Sequence, residues 1–309
     1  MPSFAKMWLG HFQAQNCQQM QNRLALGTVQ FGLPYGIANQ TGQIDWQEAR
    51  RILSVARAAG IDTLDTAIAY GASEQVLGQI GVSDWRVITK LPAIPDHCHD
   101  PQAWIRDSLQ ASLERLRIER VAGLLLHRPM QLLDSIGPAI YQSLVDLKRQ
   151  GLAGKIGYSL YSPEELDALW ARYPVDLVQA PFNVLDRRFQ TSGWLAKLRA
   201  ARAEIHVRSI FLQGLLLMHP AARPAKFHAW ATAWQEWDRW LAVQQLTPLQ
   251  ACIGFAMAQP ELFRIVVGVD SVEQLHEILA AAEVGPVTPP ASLTIEDENL
   301  TNPSRWTSL

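Results

Sequence analysis

The chain predicts a single α/β domain closed into an eight-stranded (β/α)8 TIM barrel, on three observations. From Leu24 onward, short apolar runs alternate with longer amphipathic segments, the pattern of strands joined by helices into a parallel sheet. Eight such units follow one another, and 309 residues is a length that a single barrel of this kind commonly reaches. Three of the runs end in proton-handling residues, Asp65, Lys90 and His127, and a closed barrel places its chemistry at the carboxyl ends of its strands.

Taken in order, strands are expected near 23–27, 61–65, 85–90, 121–127, 154–159, 175–180, 204–209 and 263–268. Helices are expected near 46–59, 73–80, 101–116, 136–150, 163–171, 190–202, 248–258 and 271–282, several opened by a capping residue such as Asp45, Asp100, Ser162 or Thr247. An open dinucleotide-binding sheet would need Gly-x-Gly-x-x-Gly after its first strand, and Gly27-Thr28-Val29-Gln30-Phe31-Gly32 does not match. Residues 23–309 are therefore read as one barrel with a C-terminal tail and a long insertion after the seventh strand, near 212–247. Within that insertion Trp230, Trp234, Trp237 and Trp240 recur at helical spacing and predict a packed helix face. Residues 1–22, with Gln13, Gln15, Gln18, Gln19 and Gln21, lack a signal-like apolar stretch. They are expected to be a polar, flexible extension, or the product of a start assigned upstream of Met20.

Composition narrows the class of partner. Lys and Arg number 27 against 29 Asp and Glu, with no basic block, which argues against nucleic acid. No run approaches the roughly 18 apolar residues of a membrane span. Cys17, Cys98 and Cys252 are far apart, without disulfide-like or zinc-like spacing, which fits a reducing, cytoplasmic setting. In Asp96-His97-Cys98-His99-Asp100 the ligand types are consecutive, so their side chains diverge; a polar loop is expected there and no metal. A small molecule is the expected ligand.

The chemistry concentrates where Ile61 to Leu64 lead into Asp65-Thr66-Ala67-Ile68-Ala69-Tyr70-Gly71-Ala72-Ser73-Glu74. The next runs end in Thr89-Lys90 and in Leu126-His127-Arg128-Pro129. With Leu77-Gly78 and the later segments 154–159, 179–183 and 268–275, these motifs resemble the aldo-keto reductase superfamily over nearly the whole chain after Leu24. The resemblance implies reduction of a carbonyl with a nicotinamide cofactor by a tetrad of Asp65, Tyr70, Lys90 and His127. The chemistry suits those types: a carbonyl accepting hydride gathers negative charge on oxygen, so a donor such as Tyr70 must stand there. On this reading Lys90 acidifies the phenol, Asp65 holds Lys90 charged, and His127 gives the substrate oxygen a second hydrogen bond.

The same resemblance places Ser159, Gln179 and Asn183 at the nicotinamide end of the cofactor. Arg208, followed by Ser209, stands where many relatives have an aromatic ring; it would stack on the nicotinamide, or contact an anionic substrate or a cofactor phosphate. Gly268, Asp270, Ser271 and Gln274 fall at the phosphate and adenosine site, where a helix N-terminus offers free amides. The family favours NADP(H), while Asp270 suits the ribose hydroxyls of NAD(H). The expected function is reduction of an aldehyde or ketone, small and polar or sugar-like. Oxidation of an aldose at its anomeric carbon is the alternative, and a cofactor-sensing regulatory barrel that docks a partner through its Trp-rich segment is the second.

Overall fold

In the computed structural model, residues 23–308 are described; the N-terminal extension and the alternative start at Met20 lie outside them. Eight strands run parallel and close on themselves in sequence order: β1 (Leu24–Gly27), β2 (Thr63–Asp65), β3 (Arg86–Leu91), β4 (Gly123–Leu126), β5 (Ile156–Ser159), β6 (Leu177–Pro181), β7 (Glu204–Arg208) and β8 (Arg264–Gly268). The ring closes where β1 pairs with β8, Gly27 facing Gly268, and on its other side Gly27 faces Asp65. All eight expected strands are present, each trimmed by a residue or more at one or both ends except at Leu91 and Pro181, where β3 and β6 run one residue further.

Side chains alternate across a strand, so residues two apart share a face. Ile88 and Lys90, Leu125 and His127, and Leu177 and Gln179 are three such pairs. Ile88, Leu125 and Leu177 form a small apolar cluster of their own, separate from the large core between strands and helices. The polar groups of the site thus stand one layer above an apolar plug. This is the layered filling of a barrel rather than a pore.

The outer helices begin where their caps predict. Asp45 accepts from Glu48 N at 2.8 Å ahead of Trp46–Ala58, and Asp100 accepts from Ala103 N at 2.9 Å ahead of Pro101–Leu116. Thr247 and Gln250 form a capping box ahead of Pro248–Met257. The helix expected at 190–202 is instead two pieces, Arg188–Thr191 and Trp194–Ala200. Gly193, at φ 78°, makes the turn between them.

The insertion opens with short 3-10 turns and continues as helix Ala231–Gln244. Trp234 and Trp237 are buried, Trp234 Nε1 donates to Phe227 O at 2.9 Å, and Arg223 lies over the Trp234 ring while pairing with Asp238. The C-terminal tail packs on the same region through Trp306 against Phe227. Trp234, Trp237 and Trp306 therefore build a core, with Trp230 and Trp240 half-buried at its edge. Among the described residues, no helix is long and apolar enough to cross a membrane.

Candidate active site

The site assembles at the carboxyl ends of β2, β3 and β4. Asp65, 4 % exposed, accepts from Lys90 Nζ at 2.7 Å, and Lys90, fully buried, also donates to Thr66 O at 2.9 Å. The second oxygen of Asp65 accepts from Gln179 Nε2 at 2.6 Å, so β6 helps orient the carboxylate. Tyr70 covers this pair: Lys90 Nζ stands 5.1 Å from the centre of the phenol ring. His127 meets the same ring edge-on, with centroids 6.0 Å apart. All four expected tetrad residues are brought together.

Their loop is fixed from two sides. Ser73 Oγ donates to Thr28 O at 2.8 Å, joining the start of helix Ser73–Ile80 to the end of β1. Glu74, buried, accepts from Thr89, Ser112 and Arg115, which ties that helix to β3 and to helix Pro101–Leu116. Behind Tyr70 the loops after β1 and β2 touch through their backbones. A Cβ on Gly32 would lie 1.9 Å from Tyr70 O, and Gly71, at φ 55°, faces Gly32 O so closely that a Cβ there would stand at 2.5 Å. Two glycines are required at this crossing.

Electrostatics alter one expectation. The phenol of Tyr70 is pushed above its ordinary value, first by burial and then by the Asp65 carboxylate, with Arg208 acting in the opposite direction. Lys90, whose ammonium lies beneath the ring, donates to Asp65 and Thr66 O. Burial pulls Lys90 below the usual lysine range, and Asp65 resists that pull.

His127 is lowered to about 3, by burial first and then by Lys90 and Arg208, against Asp65. It is neutral at physiological pH and has a ring N–H to give. Since its folded value lies below the unfolded one near 6.5, the unfolded chain takes up the proton first on acidification, and this part of stability is lost as pH falls below about 6.5. The wild type should accordingly lose ~2 kcal/mol more than His127→Asn between about pH 7 and about pH 5. Urea midpoints measured across that range test this, and parallel curves would refute the assignment.

A cavity of about 340 Å³ runs from Asp65 and Tyr70 past the ends of β1, β7 and β8. Of the expected cofactor residues, Arg208, Ser209, Gly268, Asp270 and Gln274 line it. Ser159 and Gln179 are buried beside it in the barrel wall, 3.5 Å apart at their polar atoms. Ser271 caps helix Val272–Ala282, accepting from Gln274 N at 3.3 Å. Asn183 is engaged locally: its Oδ1 accepts from Leu185 N and Asp186 N, both at 2.9 Å, and its Nδ2 donates to Ser209 O at 3.2 Å. Arg208 stacks over Tyr161, 4.7 Å from the ring centre, and donates to Leu160 O and Ser209 Oγ.

The sequence reading did not single out Gln30, Asn39, Gln213 or Glu277, which also line the cavity. Gln30 lies just past the end of β1, so the strand-end rule could have found it. Its Oε1 is buried with no hydrogen-bond partner, and its amide fills the space beside Gly268. Asn39 donates to Asp270 Oδ1 at 3.1 Å, and Gln213 donates to Tyr35 Oη at 3.2 Å. Both are loop residues without a local signal. Among the described residues, no group of three or more His, Cys, Asp or Glu comes together to hold a metal.

With this geometry in hand, comparison with known proteins places the chain. The Aldo/keto reductase family model matches residues 23–294. The chain belongs to the aldo/keto reductase family. YqkF, an uncharacterized oxidoreductase of Bacillus subtilis, is 25 % identical over 261 residues, covering 78 % of this chain and 84 % of the relative. An uncharacterized oxidoreductase of Mycobacterium bovis is 33 % identical over 170 residues, 53 % of this chain; the chain spans half, 50 %, of that relative's length. Among solved structures, a putative aldo-keto reductase from Pseudomonas aeruginosa superposes with a TM-score of 0.64 at 26 % identity, covering 85 % of this chain and 90 % of that one. The aldo-keto reductase AKR11C1 from Bacillus halodurans, at 21 % identity and a TM-score of 0.68 over 86 % of this chain and 88 % of its own, shares the fold. Family members generally use a nicotinamide cofactor and act on small carbonyl compounds.

Proposed function

We propose that this aldo/keto reductase converts an aldehyde or ketone to the alcohol, with Tyr70 as the proton donor. The observation that carries the reading is the buried Asp65–Lys90 pair beneath the Tyr70 ring, with His127 edge-on to it, where the cavity opens. The orphaned Gln30 Oε1, beside Gly268 in a cavity that runs on to Asp270 and Gln274, fits an elongated polar ligand such as a dinucleotide. A bound nicotinamide would supply the hydride. As charge gathers on the carbonyl oxygen, Tyr70 gives up its proton; a phenol held protonated at rest is ready to do so. His127, neutral, donates a second hydrogen bond to that oxygen, and Lys90, fully buried and anchored by Asp65 and Thr66 O, supplies a positive field. Free thiols at Cys98 and Cys252 fit a cytoplasmic enzyme. The direct test is transfer of label from C4-deuterated NADH or NADPH into the alcohol formed from a panel of aldehydes and ketones. No label in any product would overturn the reading.

Family resemblance favours NADP(H), but the lining of the adenosine end supports NAD(H). Asp270 and Glu277 stand there, Asp270 held by Asn39 and Gln274, and Arg208 at the other end is the one Lys or Arg among the lining residues described. A carboxylate accepts ribose hydroxyls and repels a 2′-phosphate. NADH should bind about tenfold more tightly than NADPH, and Asp270→Ser should shrink that margin severalfold. Fluorescence titration with both cofactors decides this; tighter NADPH binding to the wild type would reverse it. The same preference lends support to a second reading, NAD-linked oxidation of an aldose, in which Tyr70 accepts the proton. Turnover of free aldoses with NAD+ would establish that direction.

A further inference from the structure

We infer that the mouth of this barrel holds a carbonyl substrate that carries an anionic group, a carboxylate or a phosphate, with Arg128 and Arg208 as its counter-charges. The inference rests on the reductase reading for the reacting end of the substrate. Arg128 follows His127 directly and Arg208 ends β7, yet both guanidinium groups converge on one ring. Arg208 Cζ lies 4.7 Å and Arg128 Cζ 5.4 Å from the centre of Tyr161, which follows β5. Two cations sharing one ring are oriented by it, and neither has its donors spent on a carboxylate.

Neither arginine has a carboxylate partner among the described residues. Arg208 donates to two neutral oxygens, Leu160 O and Ser209 Oγ, and Arg128 makes no side-chain hydrogen bond among them. By contrast Arg115, Arg188, Arg223 and Arg264 each sit on a carboxylate: Glu74, Asp186, Asp238 and Asp62. The carboxylate nearest the reacting groups, Asp65, is engaged by Lys90 at 2.7 Å. The mouth therefore presents two guanidinium groups without a carboxylate partner among the described residues, Arg208 half-buried at the cavity and Arg128 exposed outside it. Its field reaches the reacting groups: Arg208 acts on Tyr35, Tyr70 and His127, and Arg128 acts on His127. A planar, multi-donor cation recognises carboxylate and phosphate in the same way, so the chemistry defines an oxyanion and leaves its central atom to experiment. The cavity that runs to Gly268 and Asp270 includes Arg208 but not Arg128 among its lining residues. Arg128 instead lies outside that cavity, on the side of His127 and Tyr161, where the reductase reading puts the substrate.

The test compares matched substrates on the full chain with its cofactor. A short aldehyde ending in a carboxylate is measured against its methyl ester, and glyceraldehyde 3-phosphate against glyceraldehyde, in wild type, Arg128→Gln and Arg128→Lys. The wild type should favour at least one charged member by about tenfold or more in kcat/KM, and that preference should weaken with added salt. Arg128→Gln should remove most of the preference through KM, Arg128→Lys should restore part of it, and cofactor affinity should stay within about twofold. Independently of turnover, succinate or inorganic phosphate should bind the cofactor-loaded wild type in a calorimeter and bind Arg128→Gln about tenfold more weakly. The pair that responds separates carboxylate from phosphate. Equal kcat/KM for charged and neutral substrates, with neither anion bound, overturns the inference and leaves the reductase reading standing. Anion binding without turnover of any carbonyl compound keeps the anion site and refutes the reductase reading.

Discussion

Tyr70→Phe is expected to lower carbonyl reduction by roughly a thousandfold while cofactor affinity is retained. The substitution keeps the ring, and with it the contact over Lys90 and the edge-on contact with His127, and removes only the phenolic hydroxyl. The loss should therefore appear in kcat rather than in folding or binding, because the interaction removed is made with the oxygen only as it becomes negative. The measurement pairs turnover with fluorescence titration of the cofactor and a thermal melt. A Phe variant that turns over like the wild type would move the proton donor elsewhere, and His127 would be the remaining candidate.

Lys90→Met should have the second large effect, on stability as well as on activity. It removes the ammonium from a carboxylate that is 4 % exposed and leaves Asp65 with Gln179 as its side-chain partner. Stranding a buried charge in this way costs about 3–5 kcal/mol, a large fraction of the 5–15 kcal/mol by which domains are usually stable. The double variant Lys90→Met with Asp65→Asn removes both charges and should regain most of that stability, since a neutral amide loses less on burial. It should not regain activity, because the positive field at the substrate oxygen is gone. Urea unfolding of the three variants checks the first statement and turnover the second. A single variant as stable as the wild type would mean that the pair is not charged in the folded protein.

Much of this was legible in the sequence because it is written locally. Each strand is an apolar run ending near a helix cap, so eight strands could be counted without knowing how they close. The tetrad could be read because three strand ends carry it and the fold brings strand ends together. What escaped is written at long range or in fine geometry. Asn39 and Asp270 are 231 residues apart in the chain, and nothing near either one announces the other. Asn183 fits a nicotinamide contact by type, and its amide bridges the backbone of its own turn and Ser209 O past β7, an arrangement decided by dihedral angles and a distant strand. The direction in which Tyr70 is shifted was missed for another reason: burial leads it, and a sequence does not show how deeply a loop side chain is covered.

The backbone crossing at Gly32 and Gly71 bears on how such an enzyme can diversify. Because the first loop lies against the segment that carries Tyr70 with no side-chain thickness between them, lengthening or reshaping it near Gly32 would drag Tyr70, the proposed proton donor, out of place. The segments after the fourth and seventh strands, which supply Arg128 and Gln213, reach Tyr70 through side chains, His127 edge-on and Arg208 by its charge, and can be reshaped without touching that backbone crossing. Selection can redraw one side of the entrance while the other stays pinned to the reaction.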